Sequence, residues 1–185
     1  MAQVKILVKG YYKVKDRKEH VSPTMTLVRD KGINMVVDPG SIKDKKILIN
    51  ALKKEGLIPE KINFVCITHS HPDHYLNLGM FPNAKVLDYW GVWEKDTVHD
   101  WKERFSEDIE IIRTPGHSYD CITLFVKTKK GIVAVAGDVF ITENPPKEDP
   151  FASDSKTLKK SKKLVLKKAN FIIPGHGDIF EVKKK

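Results

Sequence analysis

The first third of the chain runs through short apolar stretches separated by turn residues. "VKILVKG" (4–10) and "TMTLVRD" (24–30) alternate or run apolar over strand length, and Lys31 with Gly32 joins the second to "INMVV" (33–37) as a hairpin turn would. "DPG" ends that strand, and apolar spacing predicts a helix over 42–55 that Gly56 stops. "INFVCIT" (62–68) is a short buried strand, and Pro72 opens a short helix running through His74, Leu76 and Leu78. "AKVLDY" (84–89) is the next strand. The stretch 89–108 holds all three tryptophans and reads as loop plus a short strand, shaping one wall of a site or packing under a loop.

Regular patterning returns with "IEIIRT", "CITLFVKT" and "GIVAVAG", three strands between 109 and 137. A Pro- and Asp-rich loop covers 141–155, a helix covers about 154–168, and "NFIIPGHG" (170–177) is a final strand ending in a His-bearing turn. Helices following each strand-rich half indicate a layered α/β architecture. The 185 residues, with 41% hydrophobic and 31% charged, fit one globular domain over 1–185.

The formal charge is +9, from 33 Lys plus Arg against 24 Asp plus Glu. Much of the excess sits in "KDKKILINALKK" and "KTLKKSKKLVLKK", whose apolar residues recur at helical spacing. Solvated helix faces explain it better than a nucleic-acid groove, because aromatic residues do not interleave with the lysines there. No run reaches the roughly 18 apolar residues that span a bilayer, so no membrane partner is expected. The N-terminus reads as a strand rather than a signal peptide, which makes the cytoplasm the expected location. Cys66 and Cys121 lie in apolar runs without a C-x-x-C pair and read as small core residues.

Four apolar strands are each followed at once by ionisable residues. "FVCITHSHPDH" supplies His69, His71, Asp73 and His74; "IIRTPGH" supplies His117; "AVAGD" supplies Asp138; "FIIPGH" supplies His176. Sites are commonly assembled at such strand ends, and glycines beside the last three allow tight turns. His69 and His71, two apart in an extended segment, point the same way, whereas adjacent Asp73 and His74 diverge. One segment can therefore feed two ions. Five histidines and two carboxylates exceed the needs of one tetrahedral zinc and suit two metals ~3.5–4 Å apart, with Asp138 bridging. His20 and His99 read as ordinary surface residues.

In this order, "THSHPDH", "TPGH", "AGD" and "PGHG" resemble the metallo-β-lactamase superfamily, from "VVDPG" (36–40) to the last motif. "LNLGMFPNAKV" and "VAGDVF" are similar in particular to the small group around metallo-β-lactamase domain-containing protein 1. The resemblance implies a four-layer αββα sandwich with two metals at the sheet edge. By position it assigns His69, His71 and His117 to the first metal and Asp73, His74 and His176 to the second, with Asp138 between them. Asp38 is implied to stand behind the site and orient a ligand histidine.

The chemistry implied is hydrolysis by a hydroxide bridging two divalent cations, with Asp73 and Asp138 as the catalytic carboxylates. Zinc suits these donors, and iron or manganese also fits. Redox diiron relatives carry an acidic residue where His71 stands, so hydrolysis is the expectation. The substrate expected is a small thioester, ester or lactone. The alternative is a phosphodiester, including nucleic acid, for which the positive charge speaks. A non-catalytic metal-binding module is the minor alternative. For substrate positioning, Tyr119, His99 and the tryptophan stretch are candidates by proximity alone.

Overall fold

The computed structural model of the chain describes residues 1–144 and 149–183. Residues 145–148, inside the loop expected over 141–155, and residues 184 and 185 of the lysine tail lie outside the described residues. In chain order come strands β1 (Gln3–Val8), β2 (Tyr11–Lys15), β3 (Lys18–Ser22), β4 (Met25–Asp30) and β5 (Ile33–Val37), then helix α1 (Lys46–Lys54). Strand β6 (Phe64–Cys66), the one-turn helix α2 (Pro72–Tyr75), β7 (Lys85–Leu87), β8 (Val92–Glu94) and β9 (Thr97–His99) follow. The rest is β10 (Ile109–Arg113), β11 (Ile122–Thr128), β12 (Gly131–Val135), α3 (Ser155–Lys168), β13 (Phe171–Ile173) and β14 (Phe180–Glu181).

Two mixed sheets form, in the strand orders β1-β4-β5-β6-β7-β8-β9 and β10-β11-β12-β13-β14. The period-two alternation of strand side chains sorts residues into layers. From the first sheet Val28, Met35, Val37 and Cys66 point inward, onto Ile111, Leu124, Val126 and Val135 of the second. Their neighbours Leu27, Val36 and Val65 point outward and cover Leu48 and Leu52 of α1. On the opposite outer face, Phe125, Ala134 and Ile172 cover Leu158 and Val165 of α3. The layers therefore run helix, sheet, sheet, helix, as the resemblance implies. Strands β5, β6 and β7 pair in parallel, as do β12 and β13. Each parallel step needs a crossover, and α1, α2 and α3 lie in those crossovers.

Several expectations shift at their edges. Lys31 and Gly32 both have positive φ, +38° and +87°, the two-residue hairpin turn that a right-handed strand twist favours. Helix α1 is shorter than the expected 42–55; it begins where Asp44 Oδ1 accepts the backbone N–H of Lys46, at 3.0 Å. The short helix does not run on through Leu78, because the N–H of Asn77 bonds the Gly40 carbonyl at 2.8 Å instead of continuing the ladder. The tryptophan stretch is more regular than a loop with one strand: β8 and β9 form a hairpin at the sheet edge. The hairpin β2–β3 and the two-residue strand β14 carry no pattern that announces them. Cys66 and Cys121 are both buried and free. Among the described residues no helix is long and apolar enough to cross a membrane.

Candidate metal centre

Strand direction decides where the polar residues gather. In the second sheet β10 and β12 are both antiparallel to β11, and β13 runs parallel to β12, so all three end on one edge. His117, Asp138 and His176 follow those three ends. In the first sheet Asp38 follows β5, while His69, His71, Asp73 and His74 follow β6 beside it. Hydrogen bonds stitch the two edges together: Ile122 N–H to the Thr68 carbonyl at 2.9 Å, and Thr24 N–H to the Gly175 carbonyl at 2.6 Å. All seven residues expected to bind metal are brought to this one place.

They fall into two groups, His69, His71, His117 and Asp138 in one and Asp73, His74 and His176 in the other. In each group the donor atoms lie within 4.8 Å of one another. His71 Nδ1 is 2.9 Å from His69 Nε2 and 3.1 Å from His117 Nε2. The Asp138 carboxylate lies between the groups: Oδ2 is 3.3 Å from His117 Nε2 and 3.4 Å from His176 Nε2, and Oδ1 is 3.5 Å from His74 Nε2. Asp73 Oδ2 is 3.7 Å from His74 Nε2 and 3.6 Å from His176 Nε2. Four donors at zinc's usual ~2.05 Å around a tetrahedron are about 3.3 Å apart, so this spacing suits donors sharing a cation.

The far side of four of the five rings is held. His74 Nδ1 donates to Asp38 Oδ2 at 2.8 Å, His117 Nδ1 bonds Asp149 Oδ2 at 2.7 Å, and His176 Nδ1 donates to the Ser22 carbonyl at 2.8 Å. His69 Nδ1 faces the Thr68 hydroxyl at 3.2 Å. Such partners fix the ring and the tautomer, leaving the other nitrogen for a metal. Asp38 also accepts the Thr68 N–H and hydroxyl at 2.8 and 2.7 Å, and it sits in the left-handed region at φ +50°. A non-glycine residue held there is strained, and the strain aims its carboxylate at His74.

Two buried atoms have no hydrogen-bond partner among the described residues and belong to this site: His74 Nε2 and Asp138 Oδ1. Orphaned buried polar atoms are costly unless something else meets them. Electrostatics point the same way. Burial drives His74 down, but the Asp38 and Asp138 carboxylates outweigh it and push the imidazole up to about 9. Burial drives Asp138 up, yet His74 and His176 hold it well below the usual carboxylate range. A potential that draws a proton onto a ring nitrogen also draws a metal cation to it. His69 is pushed down by burial, then by His74, and remains a neutral donor. Gly175 is required by close approach, since a Cβ there would collide with Asp138 Oδ1. The residues present fit a pair of divalent cations.

A cavity of about 240 Å³ opens over the centre, with His71, Asp73, His117, Asp138 and His176 in its floor. Tyr12, Glu19 and Val21 of the β2–β3 hairpin and Phe151 form its walls. The Tyr12 hydroxyl donates to Glu19 Oε1 at 3.0 Å, so the hairpin presents a fixed polar edge. The sequence reading missed Tyr12, Glu19, Asp149 and Phe151. Asp149, two residues before Phe151 in the Pro- and Asp-rich loop, had only loop composition as its signal. A second cavity of about 250 Å³ lies beside His69 and Ser70 and takes in Tyr119 and Trp90, while the exposed His99 is outside both linings.

The model of the family described as "Metallo-beta-lactamase superfamily" matches residues 20–108. Metallo-beta-lactamase domain-containing protein 1 of Xenopus laevis is 32% identical over 98% of this chain and 82% of its own length. The human protein of that name is 34% identical over 80% of this chain, which spans 59% of it. A Thermotoga maritima crystal structure named for the metallo-beta-lactamases has a TM-score of 0.79 at 21% identity, covering 97% of this chain and 99% of that one. A Bacillus thuringiensis AiiA variant with N-decanoyl-L-homoserine bound at its active site has a TM-score of 0.70 at 19% identity, covering 95% and 92%. The chain belongs to the metallo-β-lactamase superfamily of metal-dependent hydrolases.

Proposed function

We propose that this protein is a dinuclear metal-dependent hydrolase acting on a small thioester, ester or lactone. The observation that carries the reading is the convergence of seven metal-type donors, with His74 Nε2 and Asp138 Oδ1 buried and unpartnered. His69, His71 and His117 would hold one cation, Asp73, His74 and His176 the other, and Asp138 would touch both. Zinc is the first choice for such a donor set, with iron or manganese as alternatives. When bound, the cations supply Lewis acidity that lowers the pKa of water and polarises a carbonyl.

The chain's own residues do the rest. Asp38 and Asp149 lock the rings of His74 and His117, so the site needs no rearrangement to receive substrate. Tyr12, Val21 and Phe151 wall the cavity and exclude water from the acyl portion. The Asp73 carboxylate, part-exposed in the floor, takes the proton of the attacking water and returns it to the leaving group. The N-decanoyl-L-homoserine bound at the active site of the AiiA structure supports an acyl-bearing substrate.

A phosphodiester is the competing reading, favoured by the +9 charge. Among the described residues, however, no lysine or arginine lines the cavity over the centre, and Glu19 adds a carboxylate there. The test is turnover by zinc- or manganese-loaded protein of a thioester, an ester, a lactone and bis-p-nitrophenyl phosphate. Turnover of the acyl compounds supports the proposal. Cleavage of the phosphodiester alone moves the assignment, and inertness toward all four contradicts catalysis.

A further inference from the structure

We infer that the cavity beside His69 and Ser70 is a subsite for an organic cation, a substituted or quaternary ammonium carried on an arm of the substrate. It rests on the hydrolase reading only in giving the cation a substrate to ride on. The cavity measures about 250 Å³, room for roughly eight non-hydrogen atoms at about 30 Å³ each. The exposed Ser70 and half-buried His71 form the ridge between it and the cavity over the metal centre. An arm crossing that ridge reaches both.

Aliphatic side chains complete a lining whose aromatic and acidic members are Tyr75, Tyr89, Trp90 and Tyr119 with Asp88 and Asp120. The chain holds 33 lysines and arginines, yet among the described residues none lines this cavity. An anion entering it would meet two carboxylates and the negative faces of the rings. A cation is attracted by both.

The walls are built in place rather than left to chance. Asp120 Oδ2 accepts the Ser70 N–H at 3.0 Å and its Oδ1 accepts the Ser118 hydroxyl, which ties the carboxylate to the ridge. Asp88 Oδ1 accepts the N–H groups of Trp90 and Gly91 at 2.9 and 3.0 Å, and among the described residues its Oδ2 receives no hydrogen bond. Behind this turn the Trp101 indole donates to the Asp88 carbonyl at 2.8 Å. The Arg113 guanidinium lies 4.9 Å from the Tyr89 ring and 4.5 Å from that of Trp101. The exposed Arg113 guanidinium is therefore already engaged by these rings and by the Tyr89 carbonyl.

Trp90 and Tyr119 stay 58% and 62% exposed, with ring centroids 6.4 Å apart and planes tilted by 59°. Two large exposed rings set at an angle across a cavity mouth are unprofitable for folding but suit a cation–π corner.

The test compares choline with its neutral isostere 3,3-dimethylbutan-1-ol by calorimetric titration, and the acetate esters of both as substrates of the metal-loaded protein. Choline is expected to bind roughly tenfold more tightly than the alcohol. Trp90→Leu and Tyr119→Leu, which keep apolar walls, are expected to remove the preference with the melting temperature unchanged. Equal affinity for the two alcohols, or a choline preference that survives both substitutions, overturns the inference. Choline binding without hydrolysis of either ester upholds the subsite and counts against the hydrolase reading. Equal hydrolysis of both esters without choline binding does the reverse.

Discussion

Asp38→Asn tests whether the far-side hydrogen bonds tune this centre. The buried carboxylate accepts three bonds, from Thr68 N–H, the Thr68 hydroxyl and His74 Nδ1–H, at 2.8, 2.7 and 2.8 Å. An amide has one acceptor oxygen and one donor group. If its oxygen keeps the Thr68 N–H, its NH₂ faces His74 Nδ1, which must then give up its proton. The proton moves to Nε2, the atom left for a cation. Hydrogen bonds to charged groups contribute about 1.5–3 kcal/mol. Loss of such a supporting partner typically costs about 10–100-fold in metal affinity, or about 1.4–2.8 kcal/mol. Competition against a chelator of known affinity should therefore show one of two equivalents weakened by that factor and the other nearly unchanged. Two equivalents held with wild-type affinity would refute the role given to Asp38.

Asp149→Ala should weaken the other equivalent, the one that includes His117, by about tenfold or more in the same competition. Because His74 is held at a pKa of about 9 in the metal-free chain, loading at pH 7 must displace a proton from it. The raised pKa means that protons compete below it, so apparent affinity should climb about tenfold from pH 7 to 8, then less steeply and level off above 9, and calorimetric heats at pH 7 should vary with the ionisation enthalpy of the buffer. Gly175→Ala drives a methyl into Asp138, so metal content should fall below two equivalents while far-ultraviolet circular dichroism keeps its shape. Leu124→Ala, between the sheets, removes a fully buried side chain and should lower unfolding stability by about 2–5 kcal/mol, read as a urea midpoint shift at constant slope.

The donors were legible because each follows an apolar strand end, where period-two patterning leaves a local trace, reinforced by a flanking glycine at His117, Asp138 and His176. Asp38 was legible through "VVDPG", though its left-handed φ and its triple bonding were not. What the chain hides is contact without pattern. Asp149 reaches His117 across 32 positions from a loop whose composition says only that it is a loop. The β2–β3 hairpin is hard to read because "YYKVKDRKEHVS" is mostly polar, with only Tyr12, Val14 and Val21 on one face, and both strands stand largely outside the core. The β8–β9 hairpin escaped for the opposite reason: Trp93 and Val98 are apolar yet exposed at a sheet edge. Short elements with few buried residues leave too little alternation to separate strand from loop.

The central claim is that these seven side chains hold two cations. Elemental analysis of the chain loaded with zinc or manganese and freed of excess metal by gel filtration tests it most directly. About two equivalents per chain are expected, falling to about one when His69 and His117 are both replaced by alanine. Fewer than one equivalent in the unaltered protein, or two in the double variant, would contradict it.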